Sequence, residues 1–116
     1  NKAVCILEFK KHTLSSPISE QCFTNYYPRP DGRKYKRLAL LRDYLASKSN
    51  SRILFFVLYY PTQTYIEQQW KLEVIEGNAF SLRATDSFIF ELPADKSDNE
   101  YKKVIEKISQ VIAARS

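Results

Sequence analysis

The sequence predicts an α/β (α+β) fold, a mixed central β-sheet flanked by helices. Three observations carry that expectation. The apolar run Ile53–Tyr60 lacks alternation and has the length of a central strand covered on both faces. Two stretches, residues 33–47 and the segment after Asp98, repeat their apolar residues at three and four, as amphipathic helices do. The other apolar segments are short and set off by turn residues, in the order β, loop, α, β, β, β, β, α.

At 116 residues, with 44% hydrophobic and 27% charged side chains, the chain is sized and composed for one globular domain. Its aromatic content of 14% lets a small core be built from large side chains. No apolar run approaches the roughly 20 residues of a membrane-spanning helix, and the start of the chain shows no signal-peptide pattern. No membrane partner is expected.

Residues 2–10 read as the first strand, leaving the core through Glu8-Phe9-Lys10. A core strand so close to the first residue implies an absent N-terminal portion, because termini fray unless framed. The whole of 1–116 is then one domain lacking its N-terminal part. Residues 11–32 hold Pro17, Pro28, Pro30 and the turn signal Asp31-Gly32, so the segment is irregular, with at most a helical turn near Ile18–Phe23. An irregular stretch this long is commonly functional.

The helix over 33–47 is expected to bury Leu38, Leu41 and Leu45, with Tyr35 and Tyr44 flanking. Arg33, Lys34, Lys36 and Arg37 crowd its first turns, where the helix dipole disfavours cations; an anion there would relieve the conflict. Residues 69–76 alternate as a half-exposed strand, with Trp70, Leu72 and Val74 inward and Lys71, Glu73 and Glu76 outward. Gly77-Asn78 is a turn, 79–83 and 87–92 are two short strands, and Pro93 ends the second. Asp98 or Ser97 caps the last helix, whose stripe is Val104, Ile105, Ile108, Val111 and Ile112.

Charge and cysteine usage narrow the function classes. Eighteen Lys and Arg against thirteen acids give +5, which suits a polyanionic partner such as nucleic acid, an anionic membrane surface, or a merely basic solvated surface. Cys5 and Cys22 fit no zinc or redox spacing, and free thiols suggest a reducing, cytoplasmic setting. Two glycines cannot build a phosphate-binding glycine loop. Nucleotide-binding motifs are excluded.

Glu8-Phe9-Lys10 is the one constellation with chemical content. Side chains two apart on a strand share a face, so a carboxylate stands beside an ammonium at the sheet edge. Glu8 and the backbone carbonyl of Phe9 offer oxygen ligands to Mg²⁺ or Mn²⁺. Lys10 can hold an attacking water and neutralise charge growing on a phosphate. The plain alternative is an exposed ion pair worth about 0–1 kcal/mol.

An apolar strand ending in Glu-x-Lys, then a helix, then a hydrophobic strand, resembles the second half of the PD-(D/E)XK nuclease core, over residues 3–60. The resemblance implies a restriction-endonuclease-like sheet and metal-dependent hydrolysis of phosphodiester bonds. Glu8 would be the second acidic metal ligand and Lys10 the family lysine, with DNA the expected substrate. Many nucleases of this class pair subunits, so the resemblance also allows a homodimer, on which the sequence itself is silent. The family's preceding strand, which carries the first metal-binding Asp, has no counterpart in the seven residues before Glu8. That acid comes from a missing N-terminal portion, from another segment, or not at all, in which case the site is dead.

Further residues for nucleic-acid contact are Lys11, His12, Tyr26, Tyr27, Arg29, Arg33, Lys34, Lys36 and Arg37, where aromatics interleave with cations that can stack bases and meet phosphates. His12, the one histidine, reads first as an ordinary surface residue on a loop, with acid–base chemistry as its alternative, and the tyrosines read equally as loop anchors. Two other functions stay open beside the endonuclease. One is a non-catalytic module binding nucleic acid or protein on the same scaffold; the other is a plain α+β domain with incidental charge.

Overall fold

The computed structural model describes residues 5–12, 16–61, 68–93 and 97–115. Strands β1 (Cys5–His12), β2 (Leu54–Pro61), β3 (Gln69–Asn78) and β4 (Ser81–Glu91) form one sheet in chain order. β1 and β2 are parallel and the two later pairings antiparallel, so the sheet is mixed, as expected. Helices α1 (Gly32–Ser49) and α2 (Asp98–Arg115) cover opposite faces. This is an α+β fold.

β2 is the keel. Parallel to β1, it needs a crossover to reach its place, and α1 supplies it. Phe55, Val57 and Tyr59 face α1, while Leu54, Phe56 and Leu58 face α2. Both sets are buried, which is why the run shows no alternation. Ser97 Oγ accepts from the Glu100 backbone N–H and caps α2, which then seats Val104 and Ile108 on the sheet. Ile105, expected in that stripe, is half exposed.

Four expectations are corrected. α1 buries Tyr35 and Ala39, not the leucine stripe: Leu41 and Tyr44 are exposed, and Leu38 is only partly covered. Alanine lets the helix axis approach the sheet, and that close approach sets the buried face. The pieces 79–83 and 87–92 are one strand, β4, with Thr85 left unpaired where the register shifts opposite Val74 and Ile75. As an edge strand exposed through its middle, β4 has no alternation to read. The outward residues Lys71 and Glu73 are buried, because the segment 16–31 folds over that face of β3 in two short 3-10 turns, Ile18–Glu20 and Phe23–Asn25. His12 ends β1 as a buried residue whose Nε2 donates to the Ser16 carbonyl, instead of sitting on a surface loop. The start of the first strand, residues 2–4, lies outside the described residues.

The β3–β4 hairpin turns at Ala79-Phe80, not at the expected Gly77-Asn78, which end β3 paired with Leu82 and Ser81. Gly77 adjoins the turn with a φ of +107° that only glycine adopts freely. A Cβ there would also drive into the Ser81 carbonyl oxygen. Gly77→Ala should therefore lower stability by about 1–3 kcal/mol, read from urea unfolding. A smaller loss would mean that the hairpin re-forms around a different turn.

Candidate functional site

The predicted pair stands toward the carboxyl end of β1, beside the parallel strand β2, the edge where open α/β sheets collect ligands. Glu8 and Lys10 do share a face, and it is the α1 face. A Glu8 carboxylate oxygen lies 3.5 Å from Lys34 Nζ, and Lys10 Nζ donates to Asp31 Oδ2 at 2.8 Å. Lys34 Nζ also reaches Asp31 Oδ2 at 3.8 Å. One ammonium thus stands between two carboxylates that are 23 positions apart in the sequence. All four side chains keep partial access to solvent.

Asp31 owes its place to the helix. It is the N-cap residue of α1, and its carbonyl accepts from the Tyr35 N–H. Its carboxylate makes no cap hydrogen bond and turns to the lysines instead. The Lys10 hydrogen bond, aided by the charges of Lys10 and Lys34, holds the Asp31 carboxyl below the usual range against some desolvation. It is ionised at neutral pH. A carboxylate here also eases the clash between the helix dipole and the basic first turns.

Below this cluster the α1-facing core is polar. In register across the sheet, Glu8, Val57 and Glu73 form one row, and Lys10, Tyr59 and Lys71 the next. Glu-x-Lys on β1 is therefore matched by Lys-x-Glu on β3. The Tyr59 hydroxyl donates to Glu73 at 2.6 Å, and Lys71 Nζ donates to the carbonyls of Ser19 and Gln21. Burial pushes the Glu73 carboxyl up, opposed by the Tyr59 hydrogen bond, the Lys71 charge and the Phe23 backbone N–H. Burial likewise raises Tyr35 and Tyr59, with the charge of Glu8 adding to it at Tyr35 and that of Glu73 at Tyr59. The Tyr35 hydroxyl is fully buried, within the field of Glu8 and Asp31, and has no hydrogen-bond partner among the described residues. Such a group usually marks a place for an ordered water or ion.

The other predicted residues divide. Tyr26 joins the site: Lys10 Nζ lies 4.1 Å above its ring, and its hydroxyl donates to Gln21 Oε1. Tyr27 packs inward, stacked on Phe23 at 4.9 Å, with its hydroxyl accepting from the Leu82 N–H. Phe9 and Lys11 alternate to the other face of β1; Phe9 is exposed there, edge-on to Tyr60. The Phe9 carbonyl lies between Glu8 and Lys10 along the strand. Buried His12 presents no open ring to a ligand. Arg29, Arg33 and Arg37 are exposed, and Lys36 turns toward Phe80, its Nζ 4.7 Å from the ring centroid. Sequence reasoning missed Asp31, Tyr35, Glu73 and Phe80. Only Asp31 had a legible signal, an Asp just ahead of a helix.

Among the described residues, no group of three or more His, Cys, Asp or Glu side chains is arranged to hold a metal ion. Glu8 and Asp31 are a pair of hard oxygen donors, and the Lys34 ammonium already occupies a cation's position between them. Two carboxylates suit Mg²⁺, which keeps several waters and completes its shell from substrate phosphates. No helix among the described residues is long and apolar enough to cross a membrane. The chain matches no family model, no curated protein and no solved structure.

Proposed function

We propose that this domain hydrolyses nucleic-acid phosphodiester bonds with a divalent cation held by Glu8 and Asp31. The observation that carries the reading is the convergence of Glu8, Lys10 and Asp31 at one sheet edge beside the first turn of a basic helix. Asp31 would fill the role of the first acidic ligand of the Glu-x-Lys nuclease pattern. When bound, Mg²⁺ would polarise a phosphate oxygen and acidify a water.

The chain's own groups do the rest. Lys34 has a flexible stem and an exposed head, so it can leave the carboxylates and meet a phosphate. Lys10, held over the Tyr26 ring, stays beside the reacting phosphate and offsets the charge that develops there. The Tyr35 hydroxyl can donate to a water resting against Glu8 or Asp31. Arg33 and Arg37, exposed on α1, supply phosphate contacts that position the strand without reading its sequence.

A second reading, a non-catalytic module that binds nucleic acid, is favoured by one fact: both carboxylates are already paired with lysines. A cleavage assay separates the two. Plasmid and single-stranded substrates are incubated with the intact protein in Mg²⁺, in Mn²⁺ and in EDTA, beside Lys10→Ala. Metal-dependent cleavage that falls about 10²- to 10³-fold in the variant, with binding kept, is expected. Binding without cleavage in either metal would establish the second reading instead.

A further inference from the structure

The tip of the β3–β4 hairpin carries the most exposed large hydrophobic side chain among the described residues. Phe80 is 79% exposed, far more than an aromatic ring needs for folding. It is held in place nonetheless. Its N–H donates to Asn78 Oδ1, and Arg42 reaches from α1 to donate to the Gly77 carbonyl at 2.8 Å. Lys36 Nζ stands over the ring. Between this tip and the segment 22–28 runs a groove of about 480 Å³, within the range of small-ligand sites. Tyr27 and Pro28 form one wall, Phe80 and Leu82 the other, and Arg83 lies at its side. None of the groove residues is acidic.

We infer that this groove binds an unpaired stretch of nucleic acid, one base stacking on Phe80 while Lys36 and Arg83 meet the adjoining phosphates. The inference rests on the nuclease reading for the direction of the strand and names its substrate class as single-stranded. The exposed apolar ring with cations beside it and no acid in the groove is complementary to a base flanked by phosphates. Stacking between successive base pairs in a duplex hides the ring faces that Phe80 would use. The first turns of α1 lie between groove and site, with Lys34 turned to one and Lys36 to the other. A strand crossing them would pass from Phe80 to Glu8 and Asp31.

The test is fluorescence anisotropy in EDTA, so that no cleavage intrudes, with a labelled single strand and the duplex of the same sequence. Phe80→Ala, Phe80→Trp and the unmodified protein are compared. Phe80→Ala should weaken single-strand binding about tenfold and leave duplex binding unchanged. Phe80→Trp should keep the affinity, and its added fluorescence should be quenched as a base stacks on it. Unchanged single-strand affinity in Phe80→Ala, or an equal loss on the duplex, would overturn the inference. Failure of the nuclease reading shows separately, as intact Phe80-dependent binding with no metal-dependent cleavage.

Discussion

Asp31→Asn is expected to lower metal-dependent cleavage about 10²- to 10³-fold while the chain stays folded. Asparagine is as good an N-cap residue as aspartate, and the Asp31 carboxylate makes no cap bond to lose. What the change removes is one of the two charges that surround the cation position, together with the partner of Lys10. Initial rates in Mg²⁺, with thermal unfolding as the control for folding, check this. Activity equal to the unmodified protein would remove Asp31 from the site. The same residue predicts a pH effect. Its carboxyl sits lower in the folded chain than in the unfolded one, so its contribution to stability is complete above the ordinary carboxylate range. That contribution is lost as pH falls through the depressed folded value. Asp31→Asn should flatten this acid limb of the stability curve.

Glu73→Leu is expected to cost about 3–5 kcal/mol of stability. Leucine fits the space, yet it strands the Tyr59 hydroxyl and the Phe23 N–H, while Lys71 keeps the Ser19 and Gln21 carbonyls but loses the Glu73 charge. The Tyr59 hydroxyl and the Phe23 N–H belong to buried residues, so losing their acceptor carries a desolvation cost. Urea unfolding measures the loss, and a cost below about 1 kcal/mol would mean the row tolerates an apolar residue. Glu73→Gln keeps an acceptor for Tyr59 and separates shape from charge. The folded carboxyl is raised above its ordinary value, so the native state gains from protonation. That gain is full below the unfolded value and disappears as pH rises through the folded one. The amide variant should lose this decline.

Much of the architecture follows from local chemistry that a sequence displays directly. The unbroken apolar run of β2 requires cover on both faces, and the Ser97 cap with its apolar stripe requires a helix at the C-terminus. Glu8 and Lys10 share a face because strand periodicity leaves no other arrangement. Those features depend on residues within a few positions of one another, where bond geometry and burial decide. The mixed sheet with helices was therefore readable in advance.

What only the tertiary structure decided depends on contacts between distant segments. Lys71 and Glu73 look like the solvent side of a strand until the segment 16–31 closes over them and supplies their hydrogen bonds. Burial of a charge is set by what arrives from elsewhere, and alternation along β3 carries no record of that arrival. Asp31 reads as a turn residue, and only the packing of α1 against β1 carries its carboxylate to Lys10. Tyr26 and Tyr27, equivalent in sequence, part because the chain turns between them, one ring under Lys10 and the other against Phe23. Sequence determined which side chains β1 offers at its end. The crossover from β1 through α1 to β2 determined which charges they meet, because it brings a helix start and a strand end together across twenty residues of chain.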